Sequence, residues 1–233
     1  MQKDQASLSL SFCGELCELF HDGSLYLPSY QTLVVSDLHF EKGRAQSSAA
    51  PLPRYDTDVT LAKLERAIDR TTPQSCIFLG DSFHNERVAR TLPPAYCKTL
   101  ERLAENRDFV WIEGNHDPDL PAFLPGRCVS EHYLNGLHFF HQLTTDTPRK
   151  KGQITGHFHP KARVNLRLRR LSAPCFIHDG KRLILPAFGA FTGGLNILET
   201  AIQSVLRTPQ SAYLCHGDNI YHLPVSEPVF VKF

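Results

Sequence analysis

The sequence predicts an α/β chain that carries its chemistry at the ends of strands, and three observations predict it. Apolar runs of strand length terminate on Asp, Gly-Asp or Gly-Asn. Stretches with helical spacing separate these runs. The second half then turns into a series of short strand-like runs, so strand–helix units give way to a strand-rich half.

The elements follow in order. Thr32 to Ser36 reads as a buried strand ending at Asp37. Asp56 or Thr57 is placed to cap a helix whose Leu61, Leu64 and Ile68 share one face. Cys76 to Leu79 is the next strand, ending at Gly80-Asp81, and Pro93-Pro94 opens a helix with Leu100 and Leu103 inward. Phe109 to Ile112 is a third strand, ending at Glu113-Gly114-Asn115. Beyond it, Leu137 to Phe140, Ile154-Thr155, Arg163 to Leu168, Cys175 to Ile177, Leu183 to Leu185 and Ala212 to Cys215 read as short strands, with Asp179-Gly180 as a hairpin turn.

Bulk properties narrow the class. A chain of 233 residues with 42% hydrophobic and 21% charged residues has the composition of a soluble globular protein. With no repeat or linker, one domain over residues 1–233 is expected. A net charge of +1 leaves any nucleic-acid contact to a local patch. Residues 1–12 lack the basic start, apolar centre and small-residue exit of a signal peptide, and no run approaches the ~20 apolar residues of a membrane-spanning helix. A cytoplasmic protein without membrane contact is expected. The seven cysteines contain no Cys-x-x-Cys pair, which argues for reduced structural thiols rather than a zinc ribbon.

The strand ends carry a constellation. The first gives Asp37-Leu38-His39, where two side chains two positions apart on an extended chain reach one ion. The second gives Gly80-Asp81-Ser82-Phe83-His84 and the third Gly114-Asn115-His116-Asp117. His141 follows the Leu137 to Phe140 run, and Gly156-His157-Phe158-His159-Pro160 repeats the His-x-His spacing. Alone, Gly-Asp and Gly-Asn are ordinary turn dipeptides, and one His beside aromatics is an ordinary core residue. Here six of the twelve histidines fall inside five short segments, which scatter does not produce.

These residues resemble the calcineurin-like metallophosphoesterase superfamily, whose ordered signature is Asp-x-His, Gly-Asp, Gly-Asn-His-Asp/Glu, His and Gly-His-x-His. The resemblance implies a four-layer αββα sandwich, two mixed sheets flanked by helices, with a dinuclear centre at the strand ends. It assigns Asp37, His39, Asp81 and His159 to one ion and Asp81, Asn115, His141 and His157 to the other, with Asp81 bridging. It makes His116 the group that protonates the leaving oxygen, and leaves Asp117 either beside the chemistry or a turn residue. His84 gives the Gly-Asp-x-Phe-His form found in SbcD-type DNA repair nucleases, where protein phosphatases carry aspartate. Only two of the seven implied ligands are anionic, so two divalent cations leave a positive site that attracts a phosphoryl group. Such ions also supply a water-derived nucleophile at neutral pH. The mixed nitrogen and oxygen set suits Mn²⁺, with Fe or Zn²⁺ as alternatives.

Asp37 to Gly43 and Leu185 to Gly194 are similar to the bacterial ligase-associated DNA-damage-response phosphoesterases (PdeM type). Gln142-Leu143 stand where that family commonly has Glu-Pro. The resemblance implies DNA as substrate and association with an ATP-dependent DNA ligase, a helicase and an exonuclease. Lys161, Arg163, Arg167 and Arg169 alternate with Val164, Leu166 and Leu168, so a basic strand face is expected directly after His159, with Arg149-Lys150-Lys151 before the motif. Phe188 and Phe191 are expected to pack in the core or a turn. The leading expectation is a metal-dependent phosphodiesterase, a DNA endonuclease or end-processing nuclease. A hydrolase of a small nucleotide and a non-catalytic module on the same fold are the alternatives.

Overall fold

In the computed structural model, residues 7–42, 55–166 and 169–225 are described, with the side chains of 55, 165, 166, 169 and 170 outside that description. Two mixed sheets stack face to face. The first runs β1 (Ser7–Phe12), β2 (Glu15–Phe20), β3 (Leu25–Leu27), β4 (Thr32–Val35), β5 (Ser75–Leu79), β6 (Asp108–Ile112) and β7 (Arg127–Val129) in chain order, antiparallel up to β4 and parallel from there. The second is ordered β15 (Asn219–Val225), β14 (Gln210–His216), β12 (Arg169–His178), β13 (Arg182–Ile184), β10 (Gln153–Thr155), β9 (Leu137–Phe140) and β8 (Glu131–Leu134), with β11 (Lys161–Leu166) paired to the first half of β12.

Strand periodicity divides the core into three apolar layers. On β4 to β6, Val34, Ile77, Leu79, Val110 and Ile112 point between the sheets, where they meet Phe139, Ile154, Phe176 and Leu183 from the second sheet. The alternate residues Leu33, Val35, Cys76, Phe78, Phe109 and Trp111 point outward and are covered by α1 (Tyr55–Thr71) and α3 (Pro94–Ala104) through Leu61, Leu64, Ile68, Leu100 and Leu103. Burial on both faces explains why these strands read as unbroken apolar runs. Trp111 stacks on Phe78 at 3.9 Å between ring centroids, and its Nε1 donates to the Pro125 carbonyl at 2.8 Å. The outer face of the second sheet is covered more thinly, by α4 (Thr200–Gln203) and its flanks through Ile197, Ile202, Val205 and Leu206.

The expected strands and the α3 start hold, except that the strand expected over Arg163 to Leu168 ends at Leu166, residues 167–168 lie outside the described residues, and Arg169 opens the antiparallel partner β12; three further differences follow. Asp56 and Thr57 already lie inside α1 rather than capping it, and Thr57 Oγ1 instead accepts from the Glu41 backbone N–H at 2.8 Å. A short helix α2 (Glu86–Arg90), capped by Asn85, interrupts the segment after β5. The amino-terminal hairpin went unpredicted although Ser7 to Phe12 alternates perfectly, burying Leu10 and Phe12. Its turn is Cys13-Gly14, both at positive φ, between the paired residues Phe12 and Glu15.

All seven cysteines are free thiols, as expected. No helix among the described residues is long and apolar enough to cross a membrane.

Candidate metal centre

The carboxyl ends of β4, β5, β6, β9, β10 and β13 come together, and backbone hydrogen bonds lace their loops into one layer. Asp37 N donates to the Gly80 carbonyl (3.2 Å), His39 N to Asp81 (3.0 Å) and Phe40 N to Ser82 (2.9 Å). Across the sheets, His157 N donates to Asp37 Oδ2 at 3.1 Å, and Phe188 N and Gly189 N donate to the carbonyls of Ser36 and Asp37 at 2.7 and 3.1 Å. Parts of the chain about 120 residues apart thus share one floor.

Close approach behind the ligands requires glycine at several places, Gly114 and Gly156 among them. A Cβ on Gly114 would lie 2.1 Å from Asp81 N, and one on Gly156 would lie 1.7 Å from Ser36 Oγ. Both contacts are far inside van der Waals range, so a side chain at either position would push apart the strand ends that carry Asp81 and Asp37.

The backbone here differs from the extended chain that the His-x-His and Asp-x-His spacing suggested. Asp37 (φ 54°), His39 (47°), Asp81 (47°), His157 (71°) and His159 (46°) all adopt left-handed conformations. Each costs a non-glycine residue about 1–2 kcal/mol, and the cross-loop hydrogen bonds over-determine them. Asp37 and His39 still reach one point, but by tight turning at the strand end rather than by alternation along it.

Two donor groups result. Asp37, His39 and His159 each offer an atom within 4.8 Å of the others, and so do Asp81, His141 and His157. In the first, His39 Nε2 and His159 Nε2 are 3.1 Å apart and His159 Nε2 lies 3.2 Å from Asp37 Oδ1. In the second, Asn115 Oδ1 sits 2.9 Å from His141 Nε2 and 2.8 Å from His157 Nδ1, while His141 Nε2 lies 3.4 Å from Asp81 Oδ2. All seven residues named from the sequence converge on these two groups.

The donor chemistry fits a cation. His141 Nδ1–H donates to the Leu79 carbonyl at 2.8 Å, which turns its Nε2 toward Asn115 Oδ1 and the Asp81 carboxylate, where either a proton or a cation must stand. Acceptors turned on acceptors at these distances repel unless a positive charge stands between them. The field says the same. Burial works to lower the His141 pKa, yet the hydrogen bond to Asp81 and the charges of Asp37 and Asp81 raise it to about 9. Burial pulls His39 down to about 4 and also lowers His157, so both are neutral nitrogen donors near pH 7. Burial alone would raise Asp37 and Asp81, but partner histidines hold both carboxyls below their usual range. Ser36, unremarked in the sequence, orients the first carboxylate by donating from Oγ to Asp37 Oδ2 at 2.5 Å.

His116 stands over the second group. Its backbone N–H donates to Asp81 Oδ1 (2.9 Å), its Nε2 lies 3.9 Å from Asp81 Oδ2, and its side chain is 43% exposed. Its Nδ1 lies 3.1 Å from the His84 carbonyl, and the two imidazoles stack at 5.7 Å between centroids. His84 therefore bears on His116 through its backbone carbonyl and ring face. Of the two readings open for Asp117, its contacts match the turn residue: it is fully buried, and its carboxylate oxygens accept from Phe83 N (2.9 Å) and Gly114 N (3.1 Å). Burial raises its pKa to about 7. It ties the loop that bears Asn115 and His116 to the loop that bears Asp81.

The expected basic residues divide between paired and exposed ones. Arg149 pairs at 2.6 Å with the buried Asp179 carboxylate, and Lys161 Nζ donates to the Thr192 carbonyl at 3.1 Å. Arg163 is exposed, Arg167 lies outside the described residues, and so does the Arg169 side chain. Phe188 is fully buried as expected, with Lys63 Nζ 4.1 Å over its ring; Phe191 is 78% exposed, against expectation.

Residues 30–170 match the calcineurin-like phosphoesterase family, and the chain belongs to it: it is a metal-dependent phosphoesterase, and the family implies divalent metal ions at the two donor groups. Among solved structures it is similar to the crystal structure of Pseudomonas putida nuclease MPE, with 30% identity, 93% of this chain and 100% of that chain covered, and a TM-score of 0.72. It also matches Yfce, a phosphoesterase from E. coli, at 15% identity over 78% of this chain and 86% of that one, with a TM-score of 0.42. No curated protein matches the chain.

Proposed function

We propose that this phosphoesterase is a Mn²⁺-dependent nuclease that cleaves DNA phosphodiesters. The observation that carries the reading is the convergence of seven donors on two groups beneath His116, in a chain similar over 93% of its length to a nuclease. Asp37, His39 and His159 would hold one ion and Asn115, His141 and His157 the other, with Asp81 shared. The mixed nitrogen and oxygen set suits Mn²⁺, and Fe or Zn²⁺ fit the same donors. Such a pair, when bound, polarises the phosphoryl oxygens and supplies a nucleophile from water.

The chain's own residues do the rest. Two carboxylates among seven donors leave the loaded site with net positive charge, which favours an anionic diester over a neutral ester. The neutral imidazoles of His39 and His157 donate nitrogen without adding charge. His116 Nε2, held by the His84 carbonyl and ring, gives its proton to the departing oxygen. Asp117 fixes the loop on which His116 turns. The setting in which this activity fits is bacterial DNA repair in the cytoplasm, alongside an ATP-dependent DNA ligase, a helicase and an exonuclease.

The test is direct. Protein stripped with a chelator should lose cleavage of plasmid DNA and of a small phosphodiester together, and Mn²⁺ should restore both, more strongly than Mg²⁺. Cleavage that persists at full rate in excess chelator contradicts the metal requirement; restored diester hydrolysis without any DNA cleavage contradicts the nuclease assignment.

A further inference from the structure

The loop after β13 passes directly behind the first donor group. Gly189 N donates to the Asp37 carbonyl at 3.1 Å, and a Cβ on Gly194 would lie 2.1 Å from the His159 carbonyl, so both ends of the loop press on ligand backbones. The loop is also pinned at Phe188, Ala190 and Thr192. Lys63 Nζ donates to the Phe188 carbonyl (2.8 Å), Ala190 N to Thr60 Oγ1 (2.9 Å), Thr192 Oγ1 to the Gly189 carbonyl (3.1 Å) and Lys161 Nζ to the Thr192 carbonyl (3.1 Å).

The one large side chain this scaffold leaves in solvent is that of Phe191. It is 78% exposed, the most exposed of the large hydrophobic side chains among the described residues, and it sits at φ 58°. A left-handed backbone is an outlier for a bulky aromatic residue, in a segment with three glycines close by. Burial does not compensate for either feature. The fixed loop holds the ring out in solvent at a conformational cost. At ~3.8 Å per Cα step, its Cα lies within about 8 Å of Gly189 and about 11 Å of Gly194. That reach corresponds to about two to three nucleotides at a rise of ~3.4 Å each.

We propose that Phe191 is a substrate-contact residue, stacking on the nucleobase next to the phosphodiester that occupies the metal centre. The inference rests on the nuclease reading above and adds the group that would distinguish a nucleotide diester from one without a base. An exposed ring offers a face to any base, so the contact favours bases without reading their sequence. Lys161, held at the same loop by Thr192, places a cation beside it for the backbone.

The test is a coupling measurement with Mn²⁺ present, using an oligonucleotide and the same strand made of abasic residues. Phe191→Ala should lower kcat/KM on the normal oligonucleotide about tenfold, chiefly through KM, and should change the ratio between normal and abasic strands by the same factor. Phe191→Trp should restore that ratio. Tyr133→Ala removes another exposed aromatic, 58% exposed on β8, and should leave the ratio alone. Equal ratios in wild type and Phe191→Ala would overturn the stack while the nuclease reading stood, as would an equal loss on both strands, which marks a role confined to loop structure. If wild type hydrolyses a small diester but cuts neither strand, the nuclease reading fails and the stack with it.

Discussion

Replacing Asp81 by asparagine is expected to reduce turnover by more than about 100-fold and to lower the number of tightly held metal ions per chain. Asp81 Oδ1 accepts from His116 N, and its Oδ2 lies 3.4 Å from His141 Nε2 and 3.9 Å from His116 Nε2. Asparagine keeps the shape and can keep the bond from His116 N, so the loop should stay in place. It loses the charge that, with Asp37, lies on the second donor group. Even partners one shell out from a metal change affinity or activity 10–100-fold when removed, and a shared ligand should exceed that. Elemental analysis beside steady-state kinetics checks both halves. Full metal content with full activity in Asp81→Asn would mean that Asp81 is a loop residue only.

His116→Ala should behave differently. Its side chain is not a member of either donor group, so metal content should match wild type while kcat on DNA falls about 10²–10⁴-fold, the usual range for a lost general acid. The loss should shrink when the leaving group needs no proton. A p-nitrophenyl diester, whose leaving group departs readily as the anion, should lose far less than DNA does. That contrast separates proton donation from mere positioning. Equal losses on both substrates would assign His116 to holding the substrate phosphate instead.

Much of this site was legible in the sequence because metal chemistry restricts residue type and spacing so tightly. Asp37, His39, Asp81, Asn115, His141, His157 and His159 each stand at a strand end, and strand ends were visible as apolar runs broken by Gly or Asp. What spacing does not encode is backbone conformation. Asp37 and His39 share a group through left-handed turns; aspartate and histidine tolerate that region better than most residues, but nothing in the spacing marks these positions for it, and tertiary hydrogen bonds impose it. Asp117 shows the same limit from the other side. A residue beside the proposed proton donor reads as chemistry until its carboxylate is seen taking two backbone N–H groups of neighbouring loops.

The supporting groups were the least visible. The Leu79 carbonyl, Thr57 and Thr60 act through contacts between separate segments, so nothing in their own neighbourhoods marks them, and Ser36 acts on the adjacent Asp37 through a rotamer that the sequence does not encode. Arg149 illustrates the reverse error: a basic cluster suggested phosphate contact, but buried Asp179 claims its guanidinium. The Ser7 to Phe12 strand, by contrast, carried a clear period of two, and its Cys13-Gly14 turn lacked only the usual Asn or Asp.

The account stands on two cations held side by side by one layer of loops. Anomalous diffraction from crystals grown with Mn²⁺, collected on both sides of the manganese edge, tests this most directly. Two manganese peaks are predicted, one within ligand distance of Asp37, His39 and His159, the other of Asn115, His141 and His157, with Asp81 reaching both. A single peak, or manganese bound elsewhere with these seven side chains still facing one another, would contradict it.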